Sequence, residues 1–396
     1  MNIPQGWERT EISQCANFIG GSQPPQSTFA FEPLPDHVRL LQIRDYKSDR
    51  YATYIPRRLA NRWCEEDDIM VGRYGPPIFQ ILRGKQGAYN VALIKAEPSK
   101  KVARQFLYFL LKQGPLYRLI DRLSPRTSGQ TGIDMDALKS YPVPLPPLPE
   151  QRKIADILTT WDEALTQLDA LIEAQERRKK ALMQQLLTGK KRFPAFAKKP
   201  WKKVRMGEVL KHVFRPIDWS AEMSLSLVSL RRRCGGLFRR PDVLGADYKT
   251  QDLHELHADD FLISKRQVAH GAWGLVTPEF AGSHVSKEYA ILVNAAPQKL
   301  HMPFFAWLCQ IPRMIRLSRV ASTGVHIEKL IFDPEVFLRD SIRIPSDLEE
   351  QRQIVAILDT AAQQLTLLRD QRTALDQQKR GLMQRLLTGK LRVNTK

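Results

Sequence analysis

The sequence predicts an α+β protein in which two globular domains alternate with two long helices. The first supporting observation is an internal repeat: residues 150–192 and 350–392 align without a gap, and about half of the aligned residues are identical. The second is the spacing of apolar residues inside the repeat. The third is a set of landmarks shared by the two segments that precede it. A long internal period indicates a duplicated chain, so each half can be compared with the other.

The two segments before the repeats share their landmarks in the same order, which predicts one α+β fold for both. Each opens near a tryptophan, Trp7 or Trp201, and later carries paired aspartates ahead of a short buried strand. A second apolar strand, an amphipathic helix, and a Thr-Gly turn with an alternating strand follow. These four features lie at 67–73, 91–94, 100–121 and 131–138 in the first segment, and at 259–265, 289–293, 303–317 and 323–330 in the second.

Each repeat predicts one helix of about 40 residues at the observed repeat length. Apolar residues recur at steps of three and four, which is typical of a helix that buries a seam against another helix. The seam residues are Ile154, Leu158, Trp161, Leu165 and Leu168 in the first repeat, and Ile354, Leu358, Leu365 and Leu368 in the second. We expect the polar residues on the seam to face water or another protein; these are Gln175, Lys179, Arg372 and Lys379.

The ends of both helices are marked in the sequence. Pro147 and Pro149 predict the start of the first helix, because an early proline loses no needed hydrogen bond. Residues 346–349, Ser-Asp-Leu-Glu, predict a capping box for the second helix. Gly189 and Gly389 stand where a glycine C-cap is expected.

The composition indicates a folded chain with a polyanionic partner. Hydrophobic residues make up 43% of the 396 residues, which is enough to form buried cores. The formal net charge of +19 and the pI of about 9.8 favour nucleic acid as the partner. The alternative is a basic surface that only faces water.

The cysteines and the hydropathy favour a cytoplasmic protein without membrane contact. Cys15, Cys64, Cys234 and Cys309 are widely separated, which argues against a zinc ribbon or a disulfide framework. The N-terminal residues lack the apolar core of a signal peptide. No stretch approaches the roughly 18 apolar residues that a membrane span needs.

The sequence carries little that indicates catalysis. It lacks the motif of a nucleotide-driven motor, a Gly-rich dinucleotide fingerprint and the Pro-Pro-aromatic signature of amino-methyltransferases. His254 and His257 are three residues apart with no evident third ligand, so we expect no metal site. We therefore predict no catalytic, cofactor-binding or metal-binding residue, and a chain that is not an enzyme by itself.

Two motifs resemble a known family over essentially the whole chain. The repeated Leu-Leu-Thr-Gly-Lys at 186–190 and 386–390 and the proline-rich lead-in at 142–152 are similar to the specificity (S) subunits of type I restriction–modification systems. The second copy departs from the lead-in at 343–350. The resemblance implies two target-recognition domains, 1–149 and 193–348, each reading one half of a split DNA site. Helical spacers at 150–192 and 349–396 would form an antiparallel coiled coil, giving a pseudo-twofold internal repeat.

The resemblance also implies the partners. These are double-stranded DNA, two methyltransferase (M) subunits docked on the helices, and restriction (R) subunits that the complex recruits. The chain itself would bind no cofactor. S-adenosylmethionine would sit on the methyltransferase partner, which methylates adenine within the recognised sequence.

Basic residues in the two globules are the candidates for DNA binding, because arginine can bind guanine through two hydrogen bonds and most other contacts go to phosphate. For any one of them, base reading, phosphate contact and plain surface exposure all remain open. The candidates are Arg73, Arg83 and Lys85 in the first globule, and Arg231, Arg232, Arg233, Arg239, Arg240, Lys265, Arg266 and Lys287 in the second. The run 177–180 on the first helix is interpreted as a solvated face.

The length of the helices suggests how two half-sites are kept apart. About 40 residues span about 60 Å in a helix, while the major groove recurs every ~34 Å along DNA. Helix length is therefore expected to set the spacer between the half-sites. Two other functions stay open from the residues alone: a self-contained nuclease, and a helical interaction protein without DNA specificity.

Overall fold

The structure, a computed structural model, describes residues 3–124 and 132–394. The chain divides into two compact units: Met1–Asp169 with Asp370–Lys396, and Ala170–Arg369. Each unit therefore combines one globule with parts of both long helices. The predicted boundaries at 149, 192 and 348 stay a prediction, because the units are divided within the helices rather than at their ends.

The globule of the first unit is built on two four-stranded sheets. The antiparallel sheet has the order β2-β9-β6-β7, and the mixed sheet has the order β4-β3-β8-β5 with β3 and β8 parallel. A separate ribbon pairs β1 with β10. The strands are β1 Glu8–Glu11, β2 Ala16–Gly20, β3 His37–Leu41, β4 Tyr54–Pro56, β5 Trp63–Cys64, β6 Ile69–Gly72, β7 Gln80–Leu82, β8 Gly87–Tyr89, β9 Leu93–Pro98 and β10 Pro142–Leu145. The helices are α1 Ile12–Cys15, α2 Arg104–Leu111, α3 Gly114–Leu123 and α4 Met135–Lys139, and the long α5 is Leu148–Leu186.

The globule of the second unit repeats this plan. Its strands are β11 Trp201–Arg205, β12 Leu210–Val213, β13 Ser224–Leu225, β14 Val228–Leu230, β15 Leu237–Arg239, β16 Val243–Leu244, β17 Leu253–Glu255, β18 Phe261–Ser264, β19 Trp273–Leu275, β20 His284–Ser286, β21 Tyr289–Asn294, β22 Ser322–Thr323, β23 Ile331–Phe332 and β24 Ser341–Pro345. Its helices are α6 Met302–Leu308, α7 Pro312–Val320 and α8 Pro334–Arg339, followed by the long α9 Leu348–Leu387.

The sheets confirm the predicted α+β repeat. The antiparallel sheet β12-β21-β18-β19 matches β2-β9-β6-β7, and the ribbon β11-β24 matches β1-β10. The globules differ in their remaining strands. Where the first has its mixed sheet, the second has two-stranded ribbons that pair β13 with β16, β14 with β15 and β17 with β20.

The paired aspartates end a turn and start a buried strand in both globules, as predicted. All residues of β6 are buried, and Asp68 Oδ2 accepts the backbone N–H of Glu65 at 3.0 Å. In the second globule Asp260 Oδ2 accepts the N–H of His257 at 2.8 Å ahead of β18. The carboxylate closes the turn, and the apolar run that follows enters the core.

The prediction of one continuous amphipathic helix at 100–121 and another at 303–317 is wrong. Each is two short helices, α2 with α3 and α6 with α7. Pro115 lies in the first turn of α3, and Pro312 begins α7. The residues before these helices, Gln113 and Ile311, are extended with ψ of 137° and 150°. A proline restarts a helix because it lacks the N–H that would continue the preceding one.

The strands predicted after the Thr-Gly turns are also wrong. Thr131 itself lies outside the described residues. In the first globule Asp134 Oδ1 accepts the N–H groups of Asp136 and Ala137 at 3.1 and 3.0 Å and starts the helix α4. In the second, residues 327–329 form a short 3₁₀ helix. A side chain that accepts nearby backbone N–H groups favours a turn or a helix start over a strand.

The long helices run antiparallel in each unit, as ion pairs in reverse order show. In the first unit, Asp162 of α5 pairs with Lys379 of α9, and further along α5 Asp169 pairs with Arg372 at 3.0 Å. In the second unit, Glu176 pairs with Arg369, and Leu186, further along α5, shares a core with the earlier α9 residues Ile354 and Leu358. α5 contains 39 residues and α9 contains 40, which matches the predicted length.

The helix ends follow the predicted signals with one correction. Asp347, not Ser346, caps α9, because its Oδ1 accepts the N–H of Glu349 at 2.8 Å. Gly189 and Gly389 both adopt a φ of +71°, where a side chain would be strained. The glycine C-caps are therefore confirmed.

The seam of each helix begins inside a globule core. Ile154 and Leu158 share the core of the first unit with Leu386 and Leu387, and Ile354 and Leu358 share that of the second with Leu186 and Leu187. Further along, Leu165, Leu168 and Leu365 are buried, whereas Trp161 and Leu368 are half-buried. The start of each seam thus packs against its globule as well as against the end of the other helix.

The expectation that the polar seam residues face water or another protein is wrong for Lys379. Its side chain is only 10% exposed, pairs with Asp162 and lies 5.7 Å from the Phe109 ring centre. Its counterpart Lys179 lies 5.1 Å from the Trp307 ring centre. Long lysine stems cover apolar surface while the ammonium finds a partner, so a lysine can occupy a seam. Arg372 is paired with Asp169, and Gln175 is half-buried.

The repeated Glu-Gln pair explains why each helix start is fixed to its globule. Glu150, 3% exposed, accepts two hydrogen bonds from Arg392 at 2.7 and 3.0 Å and one from the Trp7 indole at 2.9 Å. Glu350, 1% exposed, is bound in the same way by Arg192 and Trp201. Burial opposes the charge of Glu150, yet the hydrogen bonds from Arg392 and Trp7 outweigh it and hold its pKa below the ordinary value.

The glutamine that follows makes the same three hydrogen bonds in both units. Gln351 Oε1 accepts the N–H of His301 at 2.8 Å, and its Nε2 donates to the carbonyls of Lys299 and Pro345 at 2.8 and 3.1 Å. Gln151 bonds the N–H of Ala103 and the carbonyls of Lys101 and Pro146. The glutamine satisfies the backbone at the start of the globule's helix pair.

Replacing Gln351 with alanine is expected to lower the free energy of unfolding by about 2–4 kcal/mol, because it leaves buried backbone groups unsatisfied. Urea denaturation followed by circular dichroism measures the change. Gln353→Ala is the matched control, since Gln353 is exposed two residues along the same helix, and it should cost less than about 0.5 kcal/mol. Equal effects of the two changes would contradict this account of Gln351.

Candidate nucleic-acid interface

Two of the three predicted basic residues of the first globule are bound internally. Arg83 donates to Gln105 Oε1 at 2.6 Å and lies 4.0 Å from the Tyr108 ring centre. Lys85 donates to both carboxylate oxygens of Asp49 at 2.9 Å. Arg73 follows β6 and is exposed, with its guanidinium 5.5 Å from the Tyr74 ring centre. Of the three, Arg73 is therefore the best placed to contact a ligand.

Sequence reasoning missed a denser basic surface between β3 and β5. Its members are exposed cations of one short segment: Arg44, Lys47, Arg50, Arg57, Arg58 and Arg62. Six cations and two acids, Asp45 and Asp49, lie within these 19 residues. This excess of positive charge could have identified the surface from the sequence. We call this set the 44–62 patch. It belongs to the connections of the mixed sheet, where the two globules differ.

An arginine–tyrosine stack lies within the 44–62 patch. The Tyr51 ring is 55% exposed, with the guanidinium groups of Arg44 and Arg50 at 5.7 and 5.2 Å from its centre. Nearby, Lys85 and Arg39 hydrogen-bond Asp49 and hold its pKa below the ordinary value. Asp49 therefore stays charged and orders the cations around it. Aromatic rings among arginines are a common surface for nucleic-acid contact.

Several predicted basic residues of the second globule serve the globule itself. Arg231 donates to the carbonyl of Leu237 at 3.1 Å, and Arg232 donates to Gln267 at 2.5 Å. Arg239 binds the hydroxyl groups of Ser226 and Ser283 at 2.8 and 3.4 Å. These side chains hold loops together. The density of arginines in the sequence therefore overstated how many of them are available to bind DNA.

Arg233 and Arg240 differ from their neighbours. Both are exposed, and no side-chain hydrogen bond or ion pair joins either to another described residue. Arg233 has a φ of +59°, in the left-handed region, and its backbone N–H bonds the carbonyl of His270 at 2.7 Å. The turn is thus held by its backbone while the guanidinium projects outward.

Three further predicted residues share one groove of about 390 Å³. Lys265, Arg266 and Lys287 line it together with Phe214, whose ring is 65% exposed. Arg266 pairs with Glu288, and Lys287 pairs with Asp252 at 3.2 Å. The aromatic ring was missed in the sequence, because nothing about Phe214 marked it as exposed.

His254, the first residue of the histidine pair 254 and 257, forms a hydrogen bond inside the globule. His254 is buried, and its Nδ1 accepts the N–H of Arg215 at 3.2 Å. Among residues 3–124 and 132–394, no three His, Cys, Asp or Glu side chains come close enough to hold a metal ion.

All four cysteines are free thiols, and burial raises the pKa of Cys15 and Cys64 to about 11. None of the helices formed by the described residues is long and apolar enough to cross a membrane.

Comparison with known proteins gives one consistent family. Residues 4–176 match the family model described as "Type I restriction modification DNA specificity domain". The chain is 24% identical to the putative type I restriction enzyme MjaX specificity subunit of Methanocaldococcus jannaschii, over 99% of this chain and 95% of that protein. It is 26% identical to the type I restriction enzyme EcoBI specificity subunit of Escherichia coli, over 61% of this chain and 51% of that protein.

Another relative is matched over about half its length: the MjaVIII specificity subunit of M. jannaschii is 25% identical over 58% of this chain and 51% of that protein. Among solved structures, the S subunit of a type I restriction-modification system from M. genitalium has a TM-score of 0.61 at 15% identity, covering 98% of this chain and 96% of that chain. A chain from a type I R-M system studied for complex assembly and conformational transition has a TM-score of 0.62 at 18% identity, covering 99% and 100%. At these identities the structures show a shared fold.

Both globules of the repeated plan carry exposed basic residues, and the first globule lies within the match to a DNA specificity domain. Residues 4–176 carry the type I restriction modification DNA specificity domain, and a relative named as a type I specificity subunit matches 99% of the chain, which agrees with the predicted family. Members of this family act in complexes with DNA and with other subunits of the system.

Replacing Arg233 or Arg240 with alanine is expected to weaken DNA binding and to lower the slope of log affinity against log salt by about one phosphate contact each. Affinity measured by fluorescence anisotropy at several salt concentrations gives the slope. Arg239→Ala is the control: it should lower the thermal unfolding temperature, because it removes internal hydrogen bonds, and leave the slope unchanged. A reduced slope for Arg239→Ala alone would reverse the assignment.

Proposed function

We propose that each globule reads one half of a bipartite DNA site, within a complex that methylates adenine and can restrict unmodified DNA. The observation that carries this proposal is the repetition of one globule plan with different basic surfaces. The 44–62 patch lies on the mixed sheet of the first globule, and Arg233 and Arg240 flank β15 in the second. Different surfaces on a common plan suit two readers with different target sequences.

The long helices are proposed to set the spacer between half-sites and to dock two methyltransferase subunits. Ion pairs along α5 and α9 support a stiff pair within each unit. Many residues that are identical in the two repeats are exposed, including Arg152, Thr160 and Thr166 with their counterparts Arg352, Thr360 and Thr366. Threonine is a poor helix former, so its retention on both exposed faces favours two copies of one partner.

The chain is proposed to bind no cofactor of its own. S-adenosylmethionine would be held by the methyltransferase subunits, whose catalytic signatures are missing from this sequence. This chain would position the DNA, so that one particular adenine reaches the methyl donor. Restriction subunits would join the same complex.

Exchanging residues 1–149 for the first globule of another family member is expected to change one half-site and leave the other half-site and the spacer unchanged. The reason is that the basic surfaces of the two globules are built from separate segments. Methylation-site sequencing of DNA modified by the assembled complex reads both half-sites. A change in both would contradict the modular assignment.

Inserting seven helical residues after Asp169 in α5 and after Arg369 in α9 is expected to lengthen the spacer by about 3 base pairs. Seven residues add roughly 10 Å at ~1.5 Å each, and each base pair occupies ~3.4 Å. Matched deletions should shorten it. The same sequencing measures the spacer, and a control insertion of seven residues at the exposed segment 198–199 should leave it unchanged.

A further inference from the structure

A groove in the first unit separates the globule from the last turns of α9. Its volume is about 520 Å³. Phe79, Ile81 and the start of α3 line the globule side, and residues from Asp376 to Thr388 line the helix side. The groove therefore lies within one compact unit and is bounded by two packed elements.

Positive charge dominates this groove. Lys112, Arg118, Lys379 and Arg380 line it, against the single carboxylate of Asp376. Lys379 is paired with Asp162, and Arg380 with Asp376 at 2.8 Å. The ammonium of Lys112 bonds only the neutral hydroxyl of Tyr108, and no carboxylate among the described residues pairs with Arg118. Among residues 3–124 and 132–394, no counter-charge pairs with these two cations.

The groove also contains an unsatisfied donor. The amide nitrogen Nε2 of Gln113 is buried, and it has no hydrogen-bond partner in the part of the chain that the structure describes. A buried N–H without an acceptor is unfavourable. An occupant that brings a carbonyl or carboxylate oxygen would satisfy it.

In the second unit a peptide turn, residues 232–235, lies beside α7, and a cavity of about 440 Å³ remains between them. The N–H of Cys234 bonds the carbonyl of Gly271 at 2.8 Å, and its thiol accepts the Trp273 indole N–H at 3.3 Å. Gly271 lies in the same contact region, where an added Cβ would be 3.4 Å from Ile315 of α7.

A repeated lysine allows the two units to be compared. Lys379 lines the open groove of the first unit, and Lys179 is its counterpart in the second. Gln310 borders the turn of the second unit, just as Gln113 borders the groove of the first. Both units therefore have an open groove beside this glutamine, and in the second unit a peptide turn forms one wall of it.

We propose that the groove of the first unit binds an acidic peptide segment, about one turn long, from another subunit of the assembled complex. The proposal rests on the proposed function for the existence of that complex.

A photo-reactive phenylalanine analogue at Tyr117 tests the proposal. Tyr117 lines the groove and is 37% exposed. The modified chain is assembled with its methyltransferase subunits and cognate DNA, then irradiated, and the linked peptide is identified by mass spectrometry. We expect a cross-link to a segment rich in Asp or Glu. The same analogue at Leu123, on the same helix but outside the groove and 44% exposed, should give none.

A charge reversal adds a second readout. Arg118→Glu should lower the cross-link yield at Tyr117 by about fivefold or more, whereas Arg316→Glu, an exposed arginine on α7, should leave it unchanged. A cross-link to DNA or to this chain itself, or a yield no higher than at Leu123, overturns the groove proposal alone. A chain that forms no complex with methyltransferase subunits at all overturns the proposed function, and the groove proposal with it.

Discussion

Two buried glutamates, Glu150 and Glu350, join the segments on which each unit depends. A buried carboxylate is unfavourable unless it is paired and hydrogen-bonded. Each is therefore stable only when an arginine that follows the end of the other long helix and a tryptophan from the globule reach it together. The globule, the start of one helix and the end of the other are thereby held in one arrangement.

The adjacent glutamines extend this constraint to the globule's own helices. Gln151 and Gln351 bond the backbone just ahead of α2 and α6, so the helix pair that packs on each sheet is tied to the start of the long helix. The repeated Glu-Gln pair therefore has a local physical role in each unit, independent of any partner. The third residue of the motif, Arg152 or Arg352, is exposed, and Arg352 pairs with Glu349 at 3.5 Å.

The two globules keep what this constraint requires and differ elsewhere. The antiparallel sheet, the ribbon that leads into the long helix and the helix pair recur in both. The differences lie in the mixed sheet of the first globule and the ribbons of the second, and these strands carry the 44–62 patch and the turn with Arg233. Because the shared elements fix the core, the remaining strands can vary without disturbing it. Divergence also changed the surroundings of the repeated lysine, which lies over Phe109 in one unit and over Trp307 in the other.

The sequence by itself determined the duplication, the two long helices with their glycine caps, the α+β class and the family, because each depends on local periodicity or on residues that repeat in order. Tertiary structure decided which basic residues are available. Arg83 and Arg239 are bound by groups distant in sequence and Arg231 by the carbonyl of Leu237, while the side chain of Arg233 has no hydrogen-bond or ion-pair partner in the part of the chain that the structure describes. It also decided that Lys379 is buried, since Asp162 and Phe109 reach it only after the chain folds back. Charge density is a property of a segment, but the availability of a charge depends on partners that only the folded chain brings near.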